Sequence, residues 1–140
     1  MTFRRIVATI VGCAGFLVGA WVDAAADEPE TRPCATTPWR SEVAHQSVAG
    51  SWEYFYQLIW CVEDEKISWV VPVVTPIVPD DSDCGWKGTE EESQEPVEST
   101  GKWSGFDMSR FSCPYGDDFP WGRITVSPDG SSEIEGEGTA

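Results

Sequence analysis

The stretch WEYFYQLIWCV, running from Trp52 to Val62, decides how the rest of the chain is read. In a strand from Ser51 to Val62, the even positions Trp52, Tyr54, Tyr56, Leu58, Trp60 and Val62 share one face. The odd positions Glu53, Phe55, Gln57, Ile59 and Cys61 share the other, because successive side chains of a strand point to opposite sides. One face is wholly apolar and the other mixed, as in a sheet with one buried side. The charged run from Val62 to Lys66 supplies a turn, and Ile67 to Val78, rich in β-branched residues, returns beside it. Pro72, Pro76 and Pro79 confine that second strand to a sheet edge or a bulge, since proline brings no N–H to a ladder. Together the two runs predict a hairpin.

Extended character continues on both sides of it. Trp39 to Gln46 alternates in a strand-like way, with a short helix after Pro38 as the alternative, and Ala49 to Ser51 is a turn. Pro79 to Cys84 reads as a loop, Trp86 opens a short extended piece, and Glu90 to Gly101 reads as a charged loop. Lys102 to Cys113 is strand-like, and Pro114 to Pro120 is a turn cluster. Arg123 to Ser127 and Ser131 to Glu135 flank Pro128, Asp129 and Gly130 as a last hairpin. No internal repeat and no long helical period is present. The expected fold is all-β, a small disulfide-stapled antiparallel sandwich or partly open barrel of five to seven short strands. It occupies residues 37–135 as one domain, between a flexible leader at 27–36 and a flexible acidic tail at 136–140.

The first 26 residues read as an export signal. Arg4 and Arg5 precede a nearly unbroken apolar run from Ile6 to Val22, and Ala24 to Ala26 supply a small-residue cleavage site before Asp27. The alternatives are an uncleaved anchor and a lipobox ending at Cys13, although apolar residues continue past Cys13 to Trp21. Cleavage would leave Cys34, Cys61, Cys84 and Cys113, an even set in a small exported domain, which points to two disulfides rather than a metal. Four cysteines allow three pairings. The expected one joins Cys61 to Cys113, at the ends of the two most aromatic strands, and leaves Cys34 for Cys84.

Charge excludes whole classes of partner. Without residues 1–26 the chain has 7 basic and 23 acidic residues, a net charge of −16. A polyphosphate would be repelled, so nucleic acid is excluded, and an anionic membrane surface is disfavoured once the signal is removed. Such acidity serves solubility, and it also fits adaptation to high salt.

Trp60-Cys61, Ile67-Ser68 after a charged turn, Gly85-Trp86, Gly105-Phe106 and the late Cys113 together resemble small secreted actinobacterial proteins. Those are cysteine-stapled and β-rich, with no assigned activity. The resemblance covers about Trp52 to Gly130 and implies an extracellular habitat and a β fold, not a reaction.

Catalytic patterns are sparse. His45 is the one histidine, no G-x-S-x-G surrounds a serine, and a triad through Ser41 or Ser47 has no supporting signature. Carboxylates abound, but mainly in segments read as loops. Asp80, Asp81 and Asp83, with Asp117 and Asp118 in a second loop, are the candidate calcium ligands, yet they lack the EF-hand order. No other cofactor is indicated. Trp86, Trp103 and Trp121, each close to a glycine, are the candidate ligand-stacking rings. The leading expectation is a secreted non-enzymatic module binding an extracellular glycan or protein. The alternative is a secreted hydrolase with an unrecognised carboxylate site.

Overall fold

The computed structural model describes residues 32–140. The expected export signal, Cys13 and the first part of the expected leader lie outside them. Among the described residues nine strands form two antiparallel sheets: β1 (Trp39–Arg40), β2 (Ala44–Val48), β3 (Trp52–Glu63) and β4 (Lys66–Ile77) in the first, and β5 (Gly85–Pro96), β6 (Trp103–Cys113), β7 (Gly116–Asp118), β8 (Pro120–Val126) and β9 (Ser132–Thr139) in the second. The sheets do not close into a barrel, so the architecture is an open sandwich. Among the described residues no helix is long and apolar enough to cross a membrane.

The alternation in β3 builds the core. Trp52, Tyr54, Tyr56, Leu58 and Trp60 are fully or almost fully buried and face Phe111, Ile124 and Val126 of the second sheet. β3 is central, with β1 and β2 along one side and β4 along the other. β4 is an edge strand in register with β3, and Pro72 and Pro76 take the same parity within it. The N–H groups those prolines lack would otherwise lie on the open edge, which they blunt against further pairing. The β3–β4 turn is tight, with Asp64 and Glu65 both at positive φ (50° and 61°), the backbone of a type I′ turn.

Sheet spacing is set by two glycines. A Cβ on Gly105 of β6 would fall 2.7 Å from the Tyr56 hydroxyl and 2.8 Å from both Leu58 methyls. One on Gly122 of β8 would fall 2.9 Å from the Tyr56 ring. Only hydrogen at these positions lets the large side chains of β3 lie directly against the opposite sheet.

Besides giving nine strands where five to seven short ones were expected, and placing β7 and the start of β8 within the expected Pro114 to Pro120 turn cluster, the structure corrects four expectations. The segment expected as a loop from Glu90 to Gly101 is strand β5 as far as Pro96, and only the turn that follows is loop. The expected tail at 136–140 belongs to β9, and the ladder runs on to Ala140, whose N–H donates to the Phe119 carbonyl at 2.9 Å. The described part of the leader is tied down: Trp69 Nε1 donates to the Pro33 carbonyl (3.0 Å) and the Ala35 N–H to Glu63 Oε1 (2.8 Å).

The fourth correction is the disulfide pairing, which joins Cys34 to Cys61 and Cys84 to Cys113. Cys61 has odd parity in β3, so it points away from the second sheet and cannot reach Cys113. Gly85 lies opposite Ser112, which places Cys84 beside Cys113 at the end of the same ladder.

Candidate functional site

Strand β6 has its polarity inverted at 106–109, and that inversion defines the two places where chemistry could reside. Trp103, Phe111 and Cys113 all pack against the core, which fixes the odd residues of β6 on the inner face. A regular strand must then carry Asp107 and Ser109 inward and turn Phe106 and Met108 outward. Asp107 is 0% exposed, and Phe106 and Met108 are half-buried on the solvent side of the sheet.

Inside, Asp107 gathers hydroxyl donors from three strands. Tyr54 Oη donates to Oδ1 at 2.8 Å, Ser109 Oγ to Oδ1 at 3.0 Å, and Thr89 Oγ1 to Oδ2 at 3.2 Å. Burial pushes the Asp107 carboxyl above its ordinary range, and the three hydroxyl bonds oppose that shift. Glu92 of β5 stands opposite Asp107 in the ladder. Its carboxyl is also raised, first by desolvation and then by the Asp107 charge. Tyr54 and Tyr56 are held far above the ordinary phenol range by burial and by Asp107. Two carboxyls with raised pKa are a form that acid–base catalysis uses. Here Asp107 is sealed from solvent, and its network ties the two sheets together.

Outside, Phe106 and Met108 of β6 and Trp121 of β8 form a short, half-buried apolar strip on a face that also carries Glu91, Glu95 and Glu133, the ladder partners of Met108, Ser104 and Thr125. Trp121 of β8 lies across two glycines of β9, and a Cβ on Gly136 or Gly138 would come within 3.1 or 3.2 Å of the indole. The Phe106 ring stands 6.2 Å from that of Trp121, centroid to centroid. The Arg123 guanidinium sits over Phe106 at 4.9 Å from the ring centre, within cation–π range. Both rings are therefore held in place and half-buried.

The three tryptophans singled out from sequence do not share a patch. Trp86 and Trp103 pair with Phe111 and Pro96 at opposite ends of the β5–β6 ladder. Trp86 is 42% exposed, Trp103 packs against the core, and Trp121 alone of the three lies on the outer face. Phe106, Met108 and Arg123 were missed. The signal for them was the parity that Trp103 and Phe111 impose on β6.

The remaining candidates scatter. Asp80, Asp81 and Asp83 bring no three carboxylate oxygens within 4.8 Å of one another. Among the described residues the one such cluster is Cys34, Cys61 and Glu63, whose two sulfurs are bonded to each other. Asp118 accepts from Trp52 Nε1 at 2.8 Å and from Tyr115 Oη at 2.6 Å. His45 stacks on Phe55 with ring centroids 4.4 Å apart and meets Glu53 at 3.0 Å. Ser41 is spent on the backbone, accepting from the Leu58 N–H and donating to the Glu42 carbonyl. Two open cavities lie at the loop ends, one of about 740 Å³ beside Glu63, Asp64 and Asp129, the other of about 500 Å³ beside Asp81, Asp83 and Tyr115.

The structure defines a disulfide-stapled open β-sandwich whose five-stranded sheet carries a short apolar strip on a mainly polar outer face. Comparison with protein-family models, with curated proteins and with solved structures finds no match.

Proposed function

We propose that the protein is a secreted, non-enzymatic binding module that meets its ligand with the open face of the five-stranded sheet. The observation that carries this reading is the local inversion of β6 at 106–109, which buries Asp107 and puts half-buried Phe106 and Met108 on the outer face near Trp121. A buried carboxylate, with large apolar side chains on the outer face of the same strand, is the departure from ordinary burial that carries information. Two disulfides fit an oxidising, extracellular setting.

The test is capture of cell-wall polymers and culture-supernatant proteins on the immobilised protein, repeated with Phe106→Ser/Trp121→Ser. Both side chains face outward, so the variant retains the core. A specific partner that is lost with this variant and kept with Trp86→Ala supports the reading. A partner held equally by all three proteins places the contact elsewhere and overturns it.

A further inference from the structure

We infer that two copies of this protein associate face to face through the outer side of the four-stranded sheet. The odd residues of β3 point away from the second sheet, as Cys61 does, and their ladder partners on β4 share that side. Phe55 and Ile59 therefore lie on one face with Val71, Val73 and Ile77. Ile77 is 45% exposed, Phe55, Val71 and Val73 are half-buried, and Ile59 is buried. Gln57 and Thr75 add polar, uncharged groups between them.

Charge sets this face apart. The register brings Glu53, His45 and Arg40 to it, all at its margins. Glu53 and His45 engage each other at 3.0 Å at one end, and Arg40 stands on β1 beside Ile59. At the other end the leader closes the face, with the Pro33 carbonyl accepting from Trp69 Nε1. Between these limits, from Phe55 to Ile59 and from Val71 to Thr75, neither strand carries a charged side chain. The outer face of the other sheet carries Glu91, Glu95 and Glu133 instead.

This pattern selects a second copy as the occupant. The chain has 24 acidic against 9 basic residues, so two copies repel each other wherever their carboxylates are brought together. The β3–β4 face lets them touch without that juxtaposition. Sheet faces also pack well on sheet faces, and a second copy supplies one of matching shape and chemistry. Pro72 and Pro76 oppose extension of the sheet at the β4 edge, which leaves the face rather than the edge for contact. From Trp69 to Ile77 the face runs about 27 Å at the usual strand rise, and β2, β3 and β4 give it a width of about 14 Å. Two such ridged faces bury on the order of 1,000 Å², the scale of a weak, reversible association rather than an obligate dimer. The contact leaves the five-stranded sheet of each copy outermost, so it is independent of the binding-module reading.

Sedimentation velocity of the mature protein over a roughly hundredfold range of concentration is the test. A reversible monomer-to-dimer shift is expected. It should strengthen with added sodium chloride, because salt screens the repulsion between two acidic copies and leaves apolar burial in place. Val73→Glu and Ile77→Glu each put a carboxylate into both halves of a two-fold contact and should weaken dimerisation by roughly tenfold or more. Val97→Glu adds the same charge at an exposed position in the β5–β6 turn and should leave it unchanged. Thermal unfolding of each variant shows whether the fold is kept, and the exposed Ile77 position decides the matter where half-buried Val73 does not tolerate the change. A protein that stays monomeric over the whole range at high salt overturns the inference. So does a dimer that salt weakens, or one that Ile77→Glu and Val97→Glu affect equally.

Discussion

Tyr54 spans the sandwich from β3 and donates its hydroxyl to the Asp107 carboxylate of β6 at 2.8 Å, both residues being wholly buried. This bond crosses between the sheets, and it makes the protonation state of one carboxyl a property of the whole core. Because burial holds the Asp107 pKa above its unfolded value of about 3.9, the folded state binds that proton more tightly than the unfolded chain does. The group's stabilising contribution is therefore full below the unfolded pKa and lost as pH rises through the folded one. Urea unfolding should show the wild type gaining stability as the pH is lowered from neutral toward the unfolded pKa. Asp107→Asn keeps an acceptor for Tyr54 but cannot titrate, so its gain should be smaller. General relief of the acidic surface charge is common to both proteins, and parallel pH profiles would show that Asp107 does not carry the effect.

The β3–β4 turn places Asp64 and Glu65 in the left-handed region, where a side chain costs roughly 1–2 kcal/mol per residue. Asn-Gly is the pair that a type I′ turn favours. Asp64→Asn/Glu65→Gly should raise stability by about 1 kcal/mol after the entropy that glycine adds to the unfolded chain. Thermal unfolding measures it, and a lower melting temperature would contradict the turn assignment.

Removal of the Cys84–Cys113 bridge should be costly. The crosslink spans 29 residues, and on the chain-entropy model a loop of that size contributes roughly 3–4 kcal/mol. Cys84→Ser/Cys113→Ser should lose a comparable amount in urea unfolding. Non-reducing peptide mapping checks the pairing itself, and a linked peptide joining Cys61 to Cys113 would reverse the assignment.

Sequence and structure agree where the physics of one strand is enough. Trp52 to Val62 announces its buried face because every second residue is large and apolar, and that parity already turned Cys61 away from the second sheet. β5 was illegible for a different reason. Its inward positions Thr89, Glu92 and Gln94 are polar, since they face the Asp107 side of β6, and no alternation of hydrophobicity survives. β9 hides likewise: Gly136 and Gly138 make room for Trp121, and inward-facing Glu137 accepts from the His45 N–H at 3.1 Å. The outer strip was half visible, through Trp121 and the Gly105-Phe106 pair, but only the parity set by Trp103 and Phe111 tells which side Phe106 takes.

That parity also makes Gly105 the position where the two sheets meet most closely. A methyl group there would sit 2.7 Å from Tyr56 Oη and 2.8 Å from the Leu58 methyls, in a core with no slack at that point. Gly105→Ala should cost about 1–3 kcal/mol by overpacking. Gly85→Ala, whose nearest atom would be Lys87 Nζ at 3.8 Å, should be close to neutral and controls for the change of residue type. The Tyr56 hydroxyl is buried without a partner among the described residues, so Tyr56→Phe removes an unpaired polar atom and should be neutral or slightly stabilising. It also removes the atom closest to the new methyl. Gly105→Ala/Tyr56→Phe should therefore be more stable than the two single effects predict, by roughly 0.5–1 kcal/mol of coupling. Additive effects in urea unfolding would mean that Leu58, not Tyr56, sets the distance between the sheets.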